Sequence, residues 1–168
     1  MGFREKFVAF ENLKKWKESC HARGARVVVT NGCFDLLHLG HVTYLEKARS
    51  LGDKLLVGVN GDASVRSLKG PNRPLNPEMD RALVLAALEC VDAVTIFQEV
   101  EATLFLREAK PDVYVKGGDY TLATLNVDER QAVEENCGQI AIIPAVEGKS
   151  TTKLVRQMAP DSIGPTPR

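Results

Sequence analysis

The chain lacks a charge excess of either sign. Of its 168 residues, 22 are Lys or Arg and 22 are Asp or Glu, a formal net charge of zero. That disfavours nucleic acid as a main partner, because phosphate-backbone binding draws on a strong basic surplus. Any phosphate it holds must sit in a local pocket. It also lacks a long hydrophobic run: the most apolar stretch, Ala82 to Leu88, falls far short of the roughly 20 residues a membrane-spanning helix needs. Charges run through every window of the first residues, so no signal-peptide core is expected. Lys6 stands where a myristoylation pattern needs Ser or Thr. The four cysteines, Cys20, Cys33, Cys90 and Cys137, form no C-x-x-C pair. They read as free thiols in a reducing cytoplasm and offer zinc no ligand spacing. Repeats and low-complexity runs are missing too.

What is present is a globular composition, 44% hydrophobic and 26% charged, with enough length to bury one core. One domain over 1–158 is expected, followed by a proline-rich, disordered tail over 159–168. Strand-like apolar runs alternate with segments of helical period. Strands are expected over 26–30, 54–59, 93–97, 112–115 and 139–143. Helices are expected over 12–23, 41–51, 64–68, 77–90, 101–109, 128–136 and 150–158. Gly24 reads as the cap closing the first helix. Asn76 reads as the N-cap of the helix from Pro77, with Glu78 and Asp80 in its first turn. Residues 69–77 hold three prolines and a glycine and form a loop. The expected fold is α/β, a Rossmann-like, doubly wound, five-stranded parallel sheet with helices on both faces. Such sheets bind ligands beyond the C-terminal ends of their strands, where strand order reverses. Chemistry is therefore sought after Thr30, after Val59, after Val115 and before Ser150.

The most informative stretch is Asn31-Gly-Cys-Phe-Asp-Leu-Leu-His38-Leu-Gly40-His41, between the first strand and the next helix. His38 and His41 are three apart and share a face at a helix start. Gly40 lets a ligand approach the backbone. Free amides and the positive dipole end of a helix suit a polyphosphate, and two imidazoles add donors to the same anion. A metal reading of His38, His41 and Cys33 is set aside, because a catalytic zinc needs three placed ligands and a supporting shell. Gly148-Lys-Ser150 imitates the end of a P-loop, but Ile143 and Pro144 stand where the upstream glycine should be. Ser150, Thr151 and Thr152 open the last helix with hydroxyls and amides that either cap it or hold a phosphate. Gly117, Gly118 and Asp119 follow a strand end, where a nucleotide can lie on the backbone and Asp119 can accept from a ribose hydroxyl. Arg81 in a first helical turn opposes the dipole, which points to a substrate phosphate. Lys69, Arg73 and Lys116 are loop or strand-end cations.

His38-Leu-Gly-His41, preceded by Asn31-Gly-Cys-Phe-Asp35, resembles the signature of the cytidylyltransferase-like nucleotidyltransferases. Lys69-Gly-Pro-Asn-Arg-Pro-Leu-Asn-Pro followed by Arg81, Val115-Lys-Gly-Gly-Asp-Tyr120, and Gly148-Lys-Ser-Thr-Thr152 follow in that superfamily's order. Within it, the chain is most similar to the heptose 1-phosphate adenylyltransferases that form one domain of bifunctional heptose kinase/adenylyltransferases. The likeness spans roughly residues 12–158 without the kinase part, so a stand-alone adenylyltransferase is expected.

The resemblance implies that ATP joins a sugar 1-phosphate, heptose 1-phosphate, giving ADP-heptose for a lipopolysaccharide or another glycan, and pyrophosphate. It implies catalytic roles for His38, His41 and Lys69. Nucleotide contacts fall to Asn31, Gly32, Cys33, Phe34, His38, Gly40, His41, Lys116, Gly117, Asp119, Ser150, Thr151 and Thr152. Acceptor contacts fall to Asp35, Asn60, Lys69, Arg73 and Arg81. Mg²⁺ would be bound mainly through the nucleotide phosphates, with no protein metal site. A cytoplasmic homodimer, with neither nucleic acid nor membrane as partner, is expected. The alternatives are a same-fold transferase using CTP or another phosphorylated acceptor, such as glycerol 3-phosphate or pantetheine phosphate, and a non-catalytic nucleotide-binding module. A fragment of a class I aminoacyl-tRNA synthetase shares the H-x-G-H signature but would need an RNA-binding domain and basic charge.

Overall fold

A computed structural model describes residues 2–118 and 120–144. Its elements run α1 (Leu13–His21), β1 (Val27–Gly32), α2 (Leu39–Arg49), β2 (Lys54–Asn60), α3 (Asp62–Lys69), α4 (Glu78–Ala86), β3 (Ala93–Phe97), α5 (Thr103–Ala109), β4 (Val113–Gly117), α6 (Val127–Glu134) and β5 (Gln139–Ile143), after two short 3₁₀ turns. All five strands are parallel, in the order β3-β2-β1-β4-β5. The order reverses between β1 and β4, which opens a crevice beyond their C-terminal ends.

The apolar runs become strands because both sheet faces are covered. Successive residues of β1 point to opposite sides. Val27 and Val29 enter a core with Leu13 of α1, Phe105 and Leu106 of α5, and Val133 of α6. Val28 enters a second core with Leu45 and Ala48 of α2 and Leu85 of α4. Each fully buried side chain of this size stabilises the fold by roughly 1.5–3 kcal/mol. The doubly wound architecture is thus as expected.

Three local expectations change. β1 runs on to Gly32, because Asn31 and Gly32 still pair with Gly58 and Val59 of β2. Asn76 does not cap α4. Its side-chain amide donates to the Asp35 carbonyl instead (2.8 Å), and Pro77 takes the cap position without a side-chain hydrogen bond. A distant partner has displaced a local one. α4 also stops at Ala86, short of residue 90. Gly24 does adopt a left-handed φ of 70° after α1. The expected helix over 150–158 and the expected tail lie outside the described residues.

Candidate active site at the sheet's switch point

A cavity of about 890 Å³ lies over the crevice. It is lined by Asn31, Gly32, Cys33, Phe34, Asp35, His38, Gly40 and His41 from the first loop, and by Asn60, Lys69, Arg73, Lys116 and Gly117 from farther along the chain. Arg81 is not among the lining residues. Asp119, Ser150, Thr151 and Thr152 lie outside the described residues.

The loop after β1 is built tightly. Phe34 holds a φ of 45°, a left-handed conformation costly for a bulky residue. It is nearly buried, and its ring meets His41 edge-on at 5.5 Å between centroids. His38 occupies the N-cap position of α2 with extended backbone, and its carbonyl accepts from the His41 amide (2.9 Å). The two imidazoles therefore stack, 3.9 Å apart and 27° from parallel. Burial, and then the neighbouring His38, push the His41 pKa down from 6.5 to about 4. His41 is thus a neutral hydrogen-bonding ring near pH 7. Its Nδ1 is buried with no hydrogen-bond partner among the described residues, a costly state that an additional polar partner would relieve.

Tyr44 of α2 bridges β1 and β4 at the cavity. Its hydroxyl donates to the Val115 carbonyl of β4 (3.0 Å) and so accepts from Thr30 of β1 (2.7 Å). Gly117 is required beside it, since a Cβ there would come within 2.7 Å of the Tyr44 ring.

Asp35 and Arg73 pair with each other. The Asp35 carboxylate also accepts from the amides of Leu75 (2.8 Å) and Asn76 (3.0 Å). Burial works against this anion, but the Asn76 and Leu75 amides and Arg73 outweigh it and hold its pKa below the usual value. Asp35 is therefore the anchor of the loop 70–77, and it holds Arg73 at the cavity wall.

Arg81 has a structural task. It is 2% exposed and donates to the carbonyls of Asn76 (2.9 Å), Cys33 and Asn60 (2.8 Å), and to Asp62 (2.8 Å). It fastens the two crevice loops from behind, and its position against the helix dipole is compensated by carbonyls and by Asp62. Lys69 is the last residue of α3 rather than a loop residue. It is exposed, lines the cavity, and has no ion pair among the described residues. Cys33 lines the cavity, and burial raises its thiol pKa against the opposing pull of Lys69 and Arg81.

Several site residues carried no signal in the sequence. Glu129, in the first turn of α6, is 5% exposed and lines the cavity. It reads in sequence as a dipole-favouring acid like its exposed neighbour Asp128. Tyr114 reads as core, yet its hydroxyl reaches Asn31 Oδ1 (2.7 Å) and Glu129 Oε2 (2.9 Å). Among the described residues no group of three His, Cys, Asp or Glu is placed to hold a metal.

Residues 29–157 match the pattern of the cytidylyltransferase-like family. The chain is 49% identical over 155 residues to the bifunctional protein HldE of a Nitratiruptor species, covering 92% of this chain and 32% of that protein. It is 52% identical over 141 residues to the bifunctional protein HldE of Geotalea uraniireducens, covering 84% and 28%. The chain thus spans about a third of these relatives' length. A crystal structure of the lipopolysaccharide core biosynthesis protein from Thermoplasma volcanium superposes with a TM-score of 0.61 at 28% identity, over 75% of this chain and all of that one. Pantoate-beta-alanine ligase from Francisella tularensis shares the fold at 12% identity, with a TM-score of 0.54 over 89% of this chain and 75% of that one.

Proposed function

The chain belongs to the cytidylyltransferase-like family, and from that premise we propose that it joins ATP to heptose 1-phosphate, giving ADP-heptose and pyrophosphate. The observation that carries this reading is the stacked His38–His41 pair at the start of α2, on the wall of the switch-point cavity. The likeness to HldE proteins and to a lipopolysaccharide core biosynthesis protein supports heptose as the sugar.

In the proposed reaction an oxygen of the acceptor phosphate attacks the α-phosphorus of ATP. The bond from that phosphorus to the bridging oxygen breaks, and pyrophosphate leaves. A phosphate monoester has a second pKa of about 6, so the nucleophile is already ionised near neutrality and needs no general base. The protein's work is alignment and charge stabilisation. His41, neutral at pH 7, supplies a fixed N–H to the α-phosphoryl oxygens with His38 beside it. Lys69 brings an ammonium to the same region. Asn31, Gly32, Cys33, Phe34, Gly40, Lys116 and Gly117 form the nucleotide wall. Asn60 and Arg73 face the acceptor. Asp119 and Ser150 to Thr152 join the nucleotide site on the strength of the sequence resemblance.

Mg²⁺ fits as a passenger of the triphosphate rather than of the protein. The buried carboxylates at the cavity, Asp35 and Glu129, are already engaged by donors of the chain itself. When bound, the ion supplies neutralisation of phosphate charge. A cytoplasmic homodimer completes the proposal.

Pyrophosphate release is the test, with heptose 1-phosphate as acceptor, Mg²⁺ present, and ATP compared with CTP. Fast release with ATP alone is expected. Release with CTP only, or with glycerol 3-phosphate or pantetheine phosphate instead of the heptose, overturns the substrate assignment. Tight nucleotide binding with no turnover on any phosphorylated acceptor overturns the transferase reading itself.

A further inference from the structure

Glu129 is a carboxylate buried beside the cavity. Position in a first helical turn does not account for its burial, because exposed Asp128 already complements the dipole there. A buried carboxylate persists only with partners. Glu129 Oε1 accepts from the Ala102 amide at the start of α5 (2.9 Å). Its Oε2 lies 3.2 Å from Lys116 Nζ and 2.9 Å from the Tyr114 hydroxyl. Lys116 Nζ also donates to Asn31 Oδ1 (3.1 Å), and the Tyr114 hydroxyl lies 2.7 Å from that same oxygen. Elements β4, α5 and α6 thus meet at one carboxylate at the switch point, and β1 joins them through the Lys116 and Tyr114 bonds to Asn31.

Donor arithmetic gives the cluster a direction. An ammonium has three hydrogens. One of Lys116's meets Glu129 and one meets Asn31, which leaves the third for the cavity that Lys116 lines. The Tyr114 phenol has a single hydrogen between two acceptors, Asn31 Oδ1 and Glu129 Oε2, so it serves one of them at a time and Lys116 is the donor both oxygens share.

Resting on the transferase reading above, we propose that Glu129 is a positioning residue, which keeps Lys116 charged and aims its free N–H at the anionic substrate. Lys116 is 8% exposed. The titratable groups facing it are Glu129 from α6, Tyr114 from its own strand, Tyr120 from the following loop, and Cys33 from the loop after β1. Of these only Glu129 is a carboxylate, and it forms the ion pair with Lys116. Burial draws the ammonium's pKa down, and Glu129 opposes that pull.

Glu129→Gln keeps an oxygen for the Ala102 amide and removes the charge. Loss of an opposite charge at this distance lowers an ammonium's pKa by roughly 1–3 units. The basic limb of the kcat/KM profile for pyrophosphate release is therefore expected to move to lower pH by about that amount. The melting temperature and circular dichroism check that the variant is folded. The Lys116 εCH₂ resonance, assigned by its absence in Lys116→Met, is expected to titrate lower by the same interval. That measurement does not depend on activity. A resonance titration unmoved in Glu129→Gln overturns the proposal even if the variant is slow. An unmoved kcat/KM limb beside a shifted resonance overturns Lys116 as the substrate-facing group. A wild-type chain with no transfer on any acceptor strikes the functional reading instead, and with it the catalytic purpose of the cluster.

Discussion

The two edges of the sheet use the same residue types to opposite ends. At the N-terminal edge, Asp112 just before β4 accepts from Lys17 (2.8 Å), His21 (3.0 Å) and the Val27 amide (2.6 Å). Asp92 just before β3 accepts from Arg49 (2.9 Å), Lys54 (2.8 Å) and the Leu55 amide (2.9 Å). Each acid closes on bases and on a strand amide, and so fixes neighbouring strands in register. At the C-terminal edge the polar groups are less completely matched. His41 Nδ1 is buried without a hydrogen-bond partner among the described residues, and Lys69 has no ion pair there. Phe34 holds a left-handed φ away from any helix end, whereas Lys110 adopts one as the cap of α5. The N-terminal edge closes its charged groups, whereas the C-terminal edge keeps a lysine without an ion pair and a strained backbone turn at Phe34.

The comparison breaks most visibly at His41. His41→Ala is expected to lower kcat for pyrophosphate release about 10²–10³-fold, the usual loss for one oxyanion donor. The melting temperature should hold or rise, since the variant removes an unsatisfied buried nitrogen. A loss under tenfold would take His41 out of the catalytic machinery.

The opposite edge should answer in the opposite way. Asp112→Ala leaves Lys17, 5% exposed, without its counter-ion. Asp112 is itself partly exposed, so the cost should be about 2–3 kcal/mol, below the 3–5 of a fully buried pair. For a chain of this size that is a fall of roughly 5–10 °C in melting temperature. In the folded fraction kcat should change less than threefold. A stable, inactive Asp112→Ala protein would contradict the division of labour between the edges.

Acid should separate the edges by pH. The folded pKa of His41, about 4, lies below its ordinary 6.5, so between those values the unfolded chain binds the extra proton. Stability should therefore fall as pH drops from about 6.5 to 4. Asp112 is held below the usual carboxylate range, because Lys17, the Val27 amide and His21 outweigh its burial. Its contribution is complete above about pH 4 and is lost only below that, as pH falls through its folded pKa. Melting temperature followed from pH 7 to pH 3 should decline in two stages, and His41→Gln should remove the first and keep the second. One stage, unchanged in His41→Gln, would show that His41 is not held neutral by the fold.

The sequence carried the scaffold further than the site. β3 and β5 have the bounds that their apolar runs predict; β3 is buried along nearly its whole length, where a strand must be continuously apolar. The His38–His41 pair and the cavity loops were legible because a strand-to-helix turn is a local pattern. Strand order was not, since helices separate parallel neighbours and leave no sequence mark of who pairs with whom. Arg81 was misplaced for a related reason. Its acceptors lie at Cys33, Asn60, Asp62 and Asn76, and of these only Asn76 lies within the reach of local spacing. Asn76 likewise abandoned its local cap for Asp35, forty-one positions away. Glu129 is legible only once α6 is seen to turn it inward.

Tyr44 offers the smallest and sharpest test, because it sits at the open edge yet has closed hydrogen bonds. It lines the same cavity as the histidines, so position alone would class it with them. Its hydroxyl, however, is engaged on both sides, by Thr30 and by the Val115 carbonyl, and burial pushes its pKa far above the usual range. It has no proton to give a substrate, and its ring already fixes the distance to Gly117. Tyr44→Phe keeps that ring and removes two hydrogen bonds between β1, α2 and β4. Denaturant titration should show a loss of about 1–2 kcal/mol, while kcat stays within about threefold of the parent. A loss of kcat approaching that of His41→Ala, with stability unchanged, would mean that nearness to the crevice confers function on its own. The expected pattern, stability lost and turnover kept, would mean that the unsatisfied donor distinguishes a site residue from a wall.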